Sequence, residues 1–376
     1  MSQTSSTDEA SQWRNPSDIL SLLLLIGGDV IQRAIAQLAG DEHLPTPVVF
    51  SFGWVAFTFT ALLSAVGDNR LMPSAPDLQS IVISSKYGHA RANQSWILGR
   101  ILRDYEQHWM PSPVRQELEG MLEKANSPRA GLCVSVFEAD PDRVAGRAYR
   151  DLLWTAGYVV TLVQLVFAAI PWIIWREWEI FAITAAGTVL AFVSASLPQW
   201  RMERWACRRQ SSKTVCLTQG NGAQHVLVIK GAGRGLDLED LAGSNGLAKP
   251  PVTTRPLLIT LTVFWVALLI TVSGIHDHTW FLIAIGGLGM VYTIFVAGAP
   301  RRPEAFGIPL KFVSVHVRRR VMDALQATEL DHPGVGQCLL PTFFPGGQNE
   351  DEVRWWAKAK EERERGEAEK GERGNV

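Results

Sequence analysis

The stretch LLWTAGYVVTLVQLVFAAIPWIIW at residues 152–175 decides the architecture, because its 24 residues contain no Asp, Glu, Lys or Arg. A helix that crosses a hydrocarbon core about 30 Å thick needs about 20 predominantly apolar residues, since each main-chain amide there must find its partner within the segment. A buried helix of a soluble protein seldom runs so long without a charge. Four more charge-free runs, at 48–66, 180–197, 257–275 and 279–299, meet the same requirement.

Residues 19–39 are less uniform: they open as ILSLLLLIGG and then carry Asp29, Gln32, Arg33 and Gln37. This segment is expected either to span or to lie in the interface. Asp29 and Arg33 are four apart and share a helical face, where pairing would reduce the burial cost of about 2.5–3.5 kcal/mol for each charge.

The fold class expected is therefore mainly α: a polytopic transmembrane helix bundle of five to six spans in three hairpins. The hairpin turns fall at 41–47, 176–179 and 276–278, and the segments between hairpins are long. These segments, together with the stretch before the first span and the tail, hold 34 of the 36 Lys and Arg residues, and Arg147, Arg150, Arg201, Arg204, Arg255, Arg301 and Arg302 lie close to span ends. Positive charge flanking spans stays in the cytosol, so both termini and the long loops are expected there, in an endomembrane such as the ER or in the plasma membrane. Tryptophans 172, 175, 178, 200 and 205 mark the interfaces.

The division expected is a disordered 1–17, a hairpin at 18–66, a loop module at 67–151, a hairpin at 152–198, a loop at 199–256, a hairpin at 257–299 and a tail at 300–376. Strand-like runs occur at 79–84 (QSIVIS), 132–137 (LCVSVF), 214–219 (TVCLTQ), 225–230 (HVLVIK) and 312–317 (FVSVHV). The third and fourth flank Gly220, Asn221 and Gly222, a hairpin signal. Together they suggest a small cytosolic α+β module. The charged tail from Gln348 reads as a solvated helix grading into disorder.

The net charge of -1 gives no sign of a nucleic-acid partner, and the mean hydropathy of +0.06 averages apolar blocks with polar loops. Cys133, Cys207, Cys216 and Cys338 show no paired spacing, so free thiols are expected rather than disulfides or a zinc site. Residues 1–18 are polar and acidic, so the first apolar stretch is expected to act as an uncleaved anchor.

Candidate chemistry is sparse. KGAGRG at 230–235 imitates a dinucleotide loop but has Leu236 where a third glycine belongs, so it reads as a turn and no cofactor is expected. His276, Asp277 and His278, with His43 on the same expected side, are candidates for metal binding or proton transfer, although turns at a membrane surface are polar in any case. Asp29 and Arg33 are the intramembrane ionisable candidates. Stripes of small residues at 187, 191 and 195 and at 289, 293 and 297 are packing signals.

LLLLIGGDVIQRAIAQLAG (22–40), PVVFSFGWVAFTFTALLSAVGDNRLMP (47–73) and NQSWILGRILRD (93–104) resemble a family of multi-pass membrane proteins from filamentous fungi. The resemblance is strong over the first third and implies a fungal endomembrane or plasma-membrane protein, with no catalytic residue carried over. Some fungal multi-pass proteins act in secondary metabolism as terpene cyclases or accessory factors, but the compact seven-span cyclase layout is not matched. Three functions follow, in order: a scaffold or accessory protein with a cytosolic protein partner, a membrane-embedded enzyme on a lipidic or terpenoid substrate, and a transporter. The bilayer is a partner in each.

Overall fold

The computed structural model describes residues 27–373 except 42, 68–69, 75, 126–130, 244–250 and 276. Its elements in chain order begin with α1 (Gly28–Leu38), α2 (Trp54–Val66), β1 (Ile81–Ser84), β2 (Ala90–Ala92), α3 (Trp96–Asp104), α4 (Ser112–Ala125) and β3 (Leu132–Ala139). There follow α5 (Leu152–Trp175), α6 (Glu179–Ala195), α7 (Pro198–Arg204), β4 (Thr214–Thr218), β5 (His225–Lys230), α8 (Leu238–Gly243), α9 (Thr254–Ser273) and α10 (Thr279–Gly298). The last are β6 (Leu310–Arg318), α11 (Val321–Asp331), α12 (Val335–Phe343) and α13 (Glu350–Arg373). They form two compact units: Met1–Ser74, Arg147–Trp205 and Ala248–Ala299 make the first, and Ala75–Gly146, Ala206–Leu247 and Pro300–Val376 the second.

In the first unit α5, α6 with α7, α9 and α10 are long and apolar enough to cross a membrane. Their outward faces are apolar, with Ile173 75%, Val291 67% and Ile270 66% exposed. The inward face of α5 is largely small or polar, with Gly157, Thr161, Gln164 and Ala168. Water would invert that order, whereas lipid is as apolar as the outward face and leaves close packing and internal hydrogen bonds to join the helices.

The expected span at 48–66 is not one helix. Pro45 and Pro47 lack amide donors and bias the residues before them away from the α region. Helix begins only at Trp54, and α2 has 13 residues, about 20 Å at 1.5 Å per residue. Residues 45–51 are irregular, and those from Thr46 to Val55 are buried inside the bundle. Non-helical main chain at such a place needs internal partners. Gln164 of α5 donates through Nε2 to Phe50 O at 2.9 Å and to Ile285 O of α10 at 2.7 Å. The Trp54 indole donates to Val49 O at 3.0 Å, and the Tyr158 hydroxyl to Pro45 O at 2.6 Å.

Phe50 touches all four long helices. Its ring stacks on Trp265 of α9 with centroids 6.2 Å apart and lies against Gly187 of α6, while its carbonyl meets Gln164 and Gly289. A Cβ on Gly289 would collide with Phe50 O, and one on Gly157 with Pro47 O. The small-residue stripes of α6 and α10 are buried, and their glycines make room for this segment.

The segment enters and leaves the bundle at one end. Asp41 pairs with Arg150, just before α5, at 2.6 Å, and Thr46 donates to Ala195 O at the end of α6. After the dip to Phe50, α2 returns to Ala65, whose carbonyl accepts from Arg255 at the start of α9 at 3.1 Å. At the same end, Gln37 of α1 donates to Ala299 O at 2.9 Å, and Arg204 to Ala36 O at 2.5 Å. The expected first hairpin is thus corrected to a re-entrant element. The described part of the stretch at 19–39 forms α1, and residues up to 26 lie outside the described ones. Trp200 and Trp205 are buried rather than facing outward: Trp200 stacks on Phe57, and the ring of Trp205 lies by Gly40.

The second unit is a six-stranded sheet in the order β2-β1-β4-β5-β3-β6, antiparallel except for the parallel pair β3 and β5. The five strand-like runs all fall in it, and β2 is the addition. Alternation divides β3: Leu132, Val134 and Val136 pack with Leu325, Leu339 and Trp356 of α11, α12 and α13. Cys133 faces the other way, toward Val114 of α4 and Val317 of β6. A sheet covered on both faces needs strands that are apolar throughout, as β3 and β5 are.

Replacing Gln164 with Leu leaves two inward carbonyls without their side-chain donor, at about 1–3 kcal/mol each. Replacing Gly289 with Val forces Phe50 to move, at about 1–3 kcal/mol. Both variants are expected to lower the melting temperature of the detergent-solubilised protein, read by tryptophan fluorescence; an unchanged midpoint would remove the central role given to Phe50.

Candidate functional site

The structure separates the residues the sequence singles out. Asp29 and Arg33 carry exposed side chains on α1. His43 is exposed beside Asp41, at the end of the bundle where Arg150 lies. Burial would raise the carboxyl of Asp41, but hydrogen bonds from Arg150 and from the amides of His43 and Leu44 hold it at about 2.

His278 and Asp277 are at the opposite end, where α5 closes with Trp175; α5 has 24 residues and is about 36 Å long. The expected grouping of His43 with these turns on one side is therefore corrected. His276 lies outside the described residues. His278 Nδ1 is 2.7 Å from Glu177 Oε2, and its ring stacks on Trp175 at 4.3 Å, which ties the two far turns together. Trp172, Trp175 and Trp178 are exposed around that end. Among the described residues no group of three or more His, Cys, Asp or Glu is placed to hold a metal.

Polar side chains inside the bundle donate to main-chain carbonyls, while Oε1 of Gln164 is buried without a hydrogen bond among the described residues. Besides Gln37 and Gln164, the hydroxyls of Thr161, Thr184, Thr188, Thr262 and Thr293 each donate to the carbonyl four residues earlier. A cavity between α1, α2 and α10, lined by Ile31, Val49, Trp54 and Thr293, has about 10 Å³, room for one water molecule.

The second unit holds two clusters that imitate catalytic sites. Ser314 Oγ lies 2.7 Å from His332 Nε2, and His332 Nδ1 lies 2.9 Å from Lys230 Nζ. An ammonium only donates, so Nδ1 accepts and the ring proton sits on Nε2, aimed at the serine. A general base needs that nitrogen free, so the arrangement is the reverse of a nucleophile-activating pair. Around the π-helical turn Tyr105–Trp109, Tyr105 Oη is 2.6 Å from Ser135 Oγ, which lies near the Cys133 thiol. Burial pushes Cys133 up to about 11, so the thiol stays protonated.

The KGAGRG segment forms a turn through Ala232 and Gly233, both with positive φ. The helix after it starts among Asp237, Glu239 and Asp240. These carboxylates are already paired with Arg208 and Lys213 and would repel a phosphate.

A cleft of about 840 Å³ opens elsewhere on the sheet unit. Ser84, Ser85, Lys86, Tyr87 and Gly88, in the turn after β1, form one wall; Ser212, Lys213 and Thr214 lead into β4 beside it. The turn is fixed by hydrogen bonds from Ser85 N to Thr214 O at 3.0 Å and from Gly88 N to Ser84 O at 2.8 Å. The other wall comes from the α11–α12 connection, α12, and Lys360 and Arg363 of α13. α13 is docked by Trp356, which is 5% exposed and packs against Gly336. At Gly334 (φ 88°) a side chain would crowd Arg363, so the walls approach there. Glu329 accepts from the amides of Gly334 at 2.6 Å and Gln337 at 3.0 Å, and sits 3.7 Å from Arg363. Cys338 lies at the floor with its sulfur 3.8 Å from that of Cys216; both are free thiols.

Sequence reasoning missed this cleft. Its available signal was the tripeptide Ser-Ser-Lys, which occurs at 84–86 and again at 211–213. β1 and β4 pair antiparallel with Ser84 opposite Val215, and this brings the two copies side by side. Comparison with protein-family models, curated proteins and solved structures finds no match to this chain.

The pH response of this unit follows from His225, His316 and His332. Burial lowers all three, against opposition from Glu106 at His225 and Asp331 at His316, while Lys230 and His316 lower His332 further. A histidine with a folded pKa below its unfolded value of about 6.5 binds fewer protons folded than unfolded, so stability falls as pH drops below that value. The melting temperature is expected to decline from pH 7 to pH 5, and less steeply in the H225Q variant. An equal slope in both would contradict the assignment.

Proposed function

We propose that this chain is a multi-pass integral membrane protein whose helical unit is an anchor and whose sheet unit is the working part, held in the cytosol to bind a partner. The observation that carries this reading is the bundle's interior. Among the described residues its glutamines and threonines donate to main-chain carbonyls, and the cavity beside Trp54 has room for only one water molecule. An embedded enzyme or a transporter needs free polar groups facing a space.

Topology supports the same reading. β3 pairs with β5 and β6, yet α5 and α6 lie between β3 and β5 in the chain, and α9 and α10 between β5 and β6. Strands of one sheet share one side of a bilayer, which requires an even number of crossings between them. Two in each interval meet that requirement, and the re-entrant element adds none. The arginines at 147, 150, 201, 204 and 255 lie where the chain passes between the long helices and the strands of the sheet unit, and the positive-inside rule favours the cytosol for such connections. A fungal endomembrane or plasma membrane remains the compartment proposed from the sequence resemblance.

The protein is expected to stay in the pellet on alkaline carbonate extraction. Single cysteines introduced as H43C and D277C in a background without native cysteines should react with an impermeant maleimide from opposite sides of sealed vesicles. Labelling of both from one side, or release by carbonate, would defeat the topology. Substituting D29A should leave the metabolite and lipid profile of an expressing strain unchanged, whereas deletion of the sheet unit's partner-binding function should not.

A further inference from the structure

We propose that the cleft between the two Ser-Ser-Lys turns and α13 binds a small organic anion bearing more than one phosphoryl group. The cleft's volume of about 840 Å³ lies within the range of about 300–1,000 Å³ usual for small-molecule sites. Its lining carries Lys86, Lys213, Lys360 and Arg363 and no carboxylate. Opposite walls contribute these cations, so a ligand charged at one point would meet only some of them.

The cations divide into two kinds. Lys213 is held from behind by Asp237 and Glu239, each at 2.9 Å, and Arg363 by Glu329, which positions both while cancelling part of their charge. Lys86 lies over the Tyr87 ring at 5.3 Å and Lys360 is exposed, 3.8 Å from Glu364 on the same helix. These two carry the field that a ligand would feel. Hydroxyls of Ser84, Ser85, Ser212 and Thr214 supply neutral donors between them. Tetrahedral phosphoryl oxygens, each accepting several hydrogen bonds, match a mixture of ammonium, guanidinium and hydroxyl donors better than a planar carboxylate does. Tyr87, 62% exposed at the rim, adds a surface for an apolar or ring portion.

This inference goes beyond the anchoring role and does not depend on the identity of a protein partner. A free metabolite and a lipid headgroup share the chemistry, and calorimetry on the full-length protein in neutral detergent separates them. ATP, free inositol trisphosphate and a short-chain phosphatidylinositol bisphosphate are titrated in turn. Saturable one-to-one binding of at least one is expected: the free anions if the source is soluble, the lipid alone if it is a headgroup. The K86E/K360E variant should bind at least about tenfold more weakly, with its melting temperature retained. The K358E variant changes an exposed lysine outside the lining and should bind as the parent does. Absence of binding by all three probes up to about 1 mM, undiminished binding by K86E/K360E, or an equal loss in K358E would overturn the proposal.

Discussion

The carbonyl of Phe50 has to be satisfied in the middle of a helix bundle, and much of the first unit is arranged around that need. A peptide carbonyl removed from water without a partner costs several kcal/mol. The amide of Gln164 meets it, and glycines at 187 and 289 let the main chain come close enough for the ring to rest on Trp265. Four helices whose outer faces are as apolar as lipid have no hydrophobic reason to associate there. An irregular segment bonded or packed to all four gives them one.

The sheet unit solves a different problem. Its strands come from three separate stretches of chain, and the central ones are buried on both faces. Two buried pairs fasten the helical segment 96–109 to the rest of this unit: Arg100 with Asp77 at 2.7 Å, and Tyr105 with Ser135 at 2.6 Å. The cleft arises where helices α11 to α13 leave the turns after β1 and before β4 uncovered. Its polar character follows from position, since strand-flanking turns need no apolar residues.

How far the sequence was legible depended on the range of the signal. The four long helices were read to within a few residues, because absence of charge over 20 positions is a local property. The strands were equally plain, since alternation and β-branched residues are local too. Residues 48–66 misled because hydropathy counts composition and is blind to path: Phe50, Phe52 and Trp54 are apolar whether they face lipid or fill a bundle. That error carried His43 to the wrong end. The cleft was hidden because Lys86 and Lys360 are 274 positions apart, and only pairing of β1 with β4 and docking of Trp356 bring their walls together.

The strand order also sets a schedule for synthesis. When β3 leaves the ribosome neither of its neighbours exists, because β5 follows α5 and α6, and β6 follows α9 and α10. Until β5 has been made this eight-residue strand therefore has two open edges, and until β6 follows it keeps one, a template for association with other nascent chains. Its last edge is closed only when residues beyond 310 arrive, so any product that stops after the final hairpin is anchored in its membrane yet still adhesive.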